Sequence, residues 1–133
     1  MVLVDTSVWI SLFRQRSTPT SVRLREMLEQ GLPFGITSVI YQELLQGAKD
    51  ESDYQQLQDY LGTQHFCHPL DQVESYASAA RIYFDCRRRG VTIRSTIDCL
   101  IAQIAIEHQI VLLHEDDDFS RMAEAVDGLK VWR

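Results

Sequence analysis

Five short apolar runs separated by longer amphipathic stretches limit this chain to few architectures. The runs are Val2 to Val4, Phe34 to Thr37, His65 to Cys67, Ile110 to Leu113 and Leu129 to Trp132. Runs of this length suit buried strands, and the segments between them are long enough for helical crossovers. Strands joined in that way pair in parallel and carry helices on both faces of the sheet. The chain is therefore expected to form one α/β domain over residues 1–133, with no repeat, low-complexity tract or interdomain linker.

The amphipathic stretches read as helices. An irregular stretch after Val4 runs through Pro19 into a helix from about Ser21 to Gln30, with Leu24, Met27 and Leu28 on one face and Gly31 as its C-cap. Ser38 caps a second helix carrying Val39, Ile40 and Leu44. Tyr54, Leu57 and Leu61 recur at helical spacing in a third. Asp71 caps a long helix through Val73, Tyr76, Ala80 and Phe84 that ends at Arg87, Arg88, Arg89 and Gly90. A helix starts at residues 95–98 with an apolar stripe of Ile97, Leu100, Ile101 and Ile104, and a short one covers Phe119 to Val126.

Composition narrows the function. At 133 residues and 45% hydrophobic content, a core sufficient for folding needs neither disulfide nor structural metal. Any metal should then be functional. A net charge of −6 argues against holding nucleic acid by bulk attraction, though not against cutting it. Eleven of the thirteen bases are arginines, the side chain that grips phosphate with two donors. Cys67, Cys86 and Cys99 contain no CxxC pair, so a disulfide framework and a zinc knuckle are both unsupported. No apolar stretch is long enough to span a membrane, and a cytoplasmic setting is expected.

In an open α/β sheet, sites form beyond the carboxyl ends of strands where strand order reverses. Asp5 directly follows the first strand, and Asp116, Asp117 and Asp118 follow the fourth after His114 and Glu115. Asp98 stands in the first turn of a strongly apolar helix, and Glu43 is flanked by inward-facing Ile40 and Leu44. Each has an ordinary role as a cap, dipole partner or solvated residue. Asp5, ending a buried strand before Thr6 and Ser7, is the exception. Converging carboxylates would repel one another unless a cation neutralised them, and oxygen donors alone favour Mg2+ or Mn2+ over zinc. The four histidines make no HxxxH pair, leaving only His114, beside the acids, as a candidate. Ser7 lacks a nucleophile-elbow context and no glycine-rich loop cradles phosphate. Arg87 to Arg89 complement a helix C-terminus.

The segments MVLVDTSVWI, TSVIYQELLQG, STIDCLIAQIA and VLLHEDDDFSRMA resemble, in order, the acidic motifs of PIN-domain ribonucleases of the VapC toxin type. The resemblance runs from Leu3 to Trp132. It implies a PIN-like, five-stranded parallel sheet in the order 3-2-1-4-5, and a metal-dependent endoribonuclease acting on single-stranded or looped RNA. The expected products carry a 5′-phosphate and a 3′-hydroxyl. Its catalytic acids would be Asp5, Glu43, Asp98 and Asp116. Asp5, Asp98 and Asp116 would be direct ligands of Mg2+ or Mn2+, and Glu43 a ligand or general base. Thr6 and Ser7 would orient the first acid, with Asp118 accessory. Glu115 and Asp117 depart from the family by completing a run of four acids.

The resemblance also implies a cognate VapB-type antitoxin that wraps the protein and places an Arg or Lys in the acidic site, and a homodimer. Trp9, Ile10, Leu12, Phe13, Tyr54 and Tyr60 are candidates for such surfaces or for core. Two other classes remain open. A magnesium-dependent phosphatase or phosphotransfer domain would need a second Asp where Ser7 stands, or an acceptor and lysine that Asp71 and Lys130 supply poorly. A non-catalytic binding module would show no metal-dependent stabilisation.

Overall fold

In a computed structural model describing residues 1–133, all five strands join one parallel sheet in the order β3-β2-β1-β4-β5. They are β1 Val2–Val4, β2 Phe34–Ile36, β3 His65–Phe66, β4 Val111–Leu113 and β5 Val131–Trp132. The helices are α1 Thr6–Phe13, α2 Pro19–Gln30, α3 Ser38–Gln46, α4 Glu51–Leu61, α5 Glu74–Arg88, α6 Thr96–His108 and α7 Asp117–Ala125. The expected strand order and helical crossovers are both present.

Connectivity fixes the layering. The chain steps outward from β1 to β2 to β3, then returns across the sheet to β4 and continues to β5. Right-handed crossovers put helices from opposite directions of travel on opposite faces. The helix contacts divide accordingly: α1 packs on α2 and α3, and α3 on α4, whereas α5 packs on α6 and α7. Direction reverses between β1 and β4, which pair from Val2 opposite Val111 to Val4 opposite Leu113. Asp5 and His114 therefore emerge side by side.

The central strands bury Leu3, Val4, Leu112 and Leu113 completely. Trp9, Leu24, Ile40 and Leu61 from one layer, and Ile82, Cys86, Ile101 and Ile104 from the other, complete one continuous apolar cluster. Gly35 in β2 is dictated by close approach, since a Cβ there would lie 2.8 Å from Cys67 Sγ. All three cysteines are free and buried. No helix is long and apolar enough to cross a membrane.

Four local expectations are corrected. Residues 6–13, read as irregular, form α1, because the Asp5 side chain caps the helix at Ser7 N–H and Val8 and Trp9 bury completely beneath it. Thr37, not Ser38, caps α3, its hydroxyl accepting from Ile40 N–H at 3.1 Å. The Asp71 carboxylate accepts from Val73 and Glu74 N–H, so it organises the turn before α5, whose N-cap is Val73. On α2, Thr18 and Ser21 form a reciprocal capping box and Pro19 begins the helix, setting its start two residues earlier than expected.

Candidate active site

The reversal of strand order brings acids from four separate segments toward one end of the sheet. Asp5 is 5% exposed and fixed by its neighbours. Its Oδ2 accepts from Ser7 Oγ at 2.6 Å and Ser7 N–H at 3.1 Å. The same Ser7 oxygen accepts from Glu115 N–H at 3.1 Å, joining the segment after β1 to the segment after β4. Thr6 donates its hydroxyl to Glu43 Oε1 at 3.0 Å, which ties exposed Glu43 on α3 to the start of α1.

Asp98 lies in the first turn of α6, and Asp116 caps α7 by accepting from Asp118 N–H at 2.9 Å. Asp98, Asp116 and Asp118 each present a carboxylate oxygen, all within 4.8 Å of one another. The Asp98 carboxyl is pushed up to about 7, first by burial and then by the charges of Asp5, Asp116, Glu43 and Asp118. Asp98 thus lies in the field of Asp5, Glu43, Asp116 and Asp118. Burial likewise raises Asp5 to about 6, with a further push from Glu43 and opposition from the Ser7 hydrogen bonds.

Asp118 behaves differently. Burial alone would raise its carboxyl, but Arg94 and Arg121 hold it below the usual range. Its Oδ1 accepts from Arg121 at 2.7 Å, and its Oδ2 from Arg94 N–H at 3.0 Å and Arg94 Nε at 3.3 Å. The Arg94 guanidinium also reaches Asp116 Oδ1 at 3.0 Å. Arg121 stands one helical turn after Asp118 on α7, a pairing that spacing alone allows, whereas Arg94 meets Asp116 and Asp118 only once the fold brings the segment before α6 to the start of α7.

The other acids of the run separate. Glu115 accepts hydroxyl hydrogen bonds from Ser11 at 2.6 Å and from Thr18 and Thr20. Asp117 is exposed and pairs with Arg133. His114 is fully buried, packs edge-on against Phe119, and has neither ring nitrogen hydrogen-bonded. Burial keeps its imidazole below its usual pKa and hence neutral. It is a packing residue. Trp9 is likewise core, while Phe13, Tyr54 and Tyr60 are exposed.

Oxygen-only donors, close enough to repel and partly shielded from water, suit a hard divalent cation. The family model for the PIN domain matches residues 2–125, and the chain belongs to that family. Among curated relatives, Ribonuclease VapC11 of Mycobacterium tuberculosis and VapC ribonuclease Mb1587 of Mycobacterium bovis are each 35% identical over 124 residues, covering 92% of both chains. The fold matches the solved structure of VapBC2 from Rickettsia felis bound to a promoter DNA fragment, with a TM-score of 0.72 over 99% of this chain and 98% of that one. At 18% identity that likeness concerns the fold.

Proposed function

We propose that this PIN-domain protein is the toxin of a VapBC-type pair, a divalent-metal-dependent endoribonuclease that hydrolyses RNA phosphodiester bonds. The observation that carries the reading is the convergence of Asp98, Asp116 and Asp118, whose carboxylate oxygens lie within 4.8 Å of one another, with Asp5 and Glu43 from two further segments near enough to bear on Asp98. An acidic pocket of this kind is costly in a stable fold and is explained by the cation it holds. The VapC ribonucleases that match along most of the chain supply the reaction class.

Asp5, Asp98 and Asp116 would hold Mg2+ or Mn2+, although the oxygens already within 4.8 Å of one another are those of Asp98, Asp116 and Asp118; Asp118 would support the ion from beside them while positioning the loop that carries Arg94. A bound cation supplies charge neutralisation and Lewis acidity at the reacting phosphate. Ser7 keeps Asp5 in one rotamer, so that acid costs no reordering when substrate arrives. Thr6 holds Glu43 Oε1 and leaves Oε2 to take a proton from the attacking water. Water oxygen bonds to phosphorus, the 3′ oxygen leaves with a proton from solvent, and the ends are a 5′-phosphate and a 3′-hydroxyl.

A VapB-type antitoxin partner and a homodimer accompany this reading. Exposed Phe13, Tyr54 and Tyr60 support an apolar contact surface. The test is cleavage of single-stranded RNA by purified, antitoxin-free protein. Cleavage is expected with Mg2+ or Mn2+, none with chelator, and a loss of at least about a hundredfold in Asp98→Asn. Intact RNA in the presence of both metals overturns the reading.

A further inference from the structure

A crevice of about 380 Å3 opens beside the acids, with Arg16 and Arg94 among the residues lining it together with Ser7 and Asp116. The two arginines are prepared differently. Arg16 lies between α1 and α2, and its backbone is held at both ends: its N–H donates to Ser11 O at 2.9 Å, and its carbonyl accepts from Ser21 Oγ at 2.6 Å. Its guanidinium makes none of the ion pairs in the structure. Its charge is nonetheless felt by Glu115 across the crevice.

Arg94 has the same rigid base. Its backbone N–H is anchored on Asp118 Oδ2 at 3.0 Å, so the position of the residue does not depend on its side chain. Its guanidinium, although the side chain is 73% exposed, lies on Asp116 at 3.0 Å and Asp118 at 3.3 Å. Those acids belong to the cluster suited to a divalent cation. A cation there competes with the guanidinium for Asp116 Oδ1 and repels it, while Asp118 Oδ2 continues to accept from the Arg94 backbone N–H. The freed side chain keeps its anchored backbone at the crevice, where an anion is its natural partner.

We propose that Arg16 and Arg94 form a phosphate clamp for a single-stranded RNA backbone, Arg94 resting on Asp116 and Asp118 until a divalent cation displaces it toward phosphate. The choice of RNA as the ligand to be tested rests on the nuclease reading, whereas phosphate binding by the two arginines and the exchange with metal do not. Arg16 is the constant contact and Arg94 the metal-dependent one. Arginine suits both tasks because its planar donor fork fits carboxylate and phosphate alike.

The experiment has two readouts besides cleavage. Mn2+ affinity is measured by calorimetry without RNA. Affinity for a short, fully phosphorothioate single-stranded RNA is measured by fluorescence anisotropy in chelator and in Mn2+. Arg94→Ala should bind Mn2+ about threefold or more tightly than wild type, and should lose about tenfold in RNA affinity in Mn2+ but little in chelator. Arg16→Ala should weaken RNA binding similarly in both buffers, with each lost contact flattening the salt dependence by about 0.7 in logarithmic slope. Arg94→Lys should recover part of the RNA affinity. Circular dichroism checks folding, which the Arg94 backbone anchor should preserve.

Unchanged Mn2+ affinity in Arg94→Ala, or RNA affinity lost equally with and without metal, overturns the switch. If wild type cuts RNA and both variants cut it with unaltered KM, the clamp fails while the nuclease reading stands. If both binding readouts follow expectation and no RNA is cut, the nuclease reading fails while the clamp stands.

Discussion

Asp98 is the carboxyl held furthest from its ordinary value, and its surroundings set how the metal-free protein responds to pH. Unfolded, it titrates near 3.8; folded, near about 7. Between those values the folded state holds more protons, so stability is full below the first and is lost as pH rises through the second. Asp5, raised to about 6, has the same sign. Glu115, Asp117 and Asp118 have the opposite sign, because their carboxyls are held below the usual range and their contributions disappear in acid. The melting temperature in chelator should therefore peak around pH 5 and fall toward pH 8. Asp98→Asn should flatten much of that fall, as thermal melts across the range will show; a wild-type protein equally stable at both ends contradicts the assignment. The acids were readable as residue types at strand ends. The role of Arg94 was not, because it meets Asp118 only across a gap of 24 residues closed by the fold.

At the scale of elements, α1 shows what periodicity hides. Val8, Trp9, Ile10, Leu12 and Phe13 make a nearly continuous apolar run rich in β-branched and aromatic residues, with no 3.6-residue stripe to mark a helix. The Asp5 cap and the burial of Trp9 decide the matter, and the second is purely tertiary. By contrast α5 and α6, with longer sequences, were legible. Asp5 thus serves both helix and site. Asp5→Asn retains an acceptor for Ser7 N–H and should abolish cleavage at nearly wild-type stability, whereas Asp5→Ala should also lose about 1 kcal/mol from the missing cap in urea denaturation. Glu115 has the complementary role of joining β4 to α1 and α2 through Ser11, Thr18 and Thr20. Its replacement by Ala strands three hydroxyls and should destabilise by about 2–3 kcal/mol, with Glu115→Gln milder.

For the whole molecule, the sheet's single reversal converts a sequence with scattered acids into one with a pocket. The parallel sheet was legible because strand spacing and crossover length require it, whereas the strand order that creates the reversal followed from the family resemblance and not from the spacing. The net charge acquires a location too: without Asp5, Glu43, Asp98, Asp116 and Asp118, fourteen acids face thirteen bases. Most of the excess negative charge is therefore concentrated where a cation can answer it, and binding should stabilise the entire fold by mass action. Mn2+ at a hundred times its dissociation constant is worth about 2.7 kcal/mol, which for a domain of this size corresponds to on the order of 10 °C in melting temperature. The shift should be larger at pH 8 than at pH 6, where the Asp98 carboxyl, near about 7, is mostly protonated and must release its proton to bind. Asp98→Asn should remove the shift. Asp117→Asn should keep it, because Asp117 is turned to Arg133 at the surface and shares no oxygen with the cluster. Loss of the shift in Asp117→Asn would move the cation outward along the loop, and a shift independent of pH would separate it from Asp98 altogether.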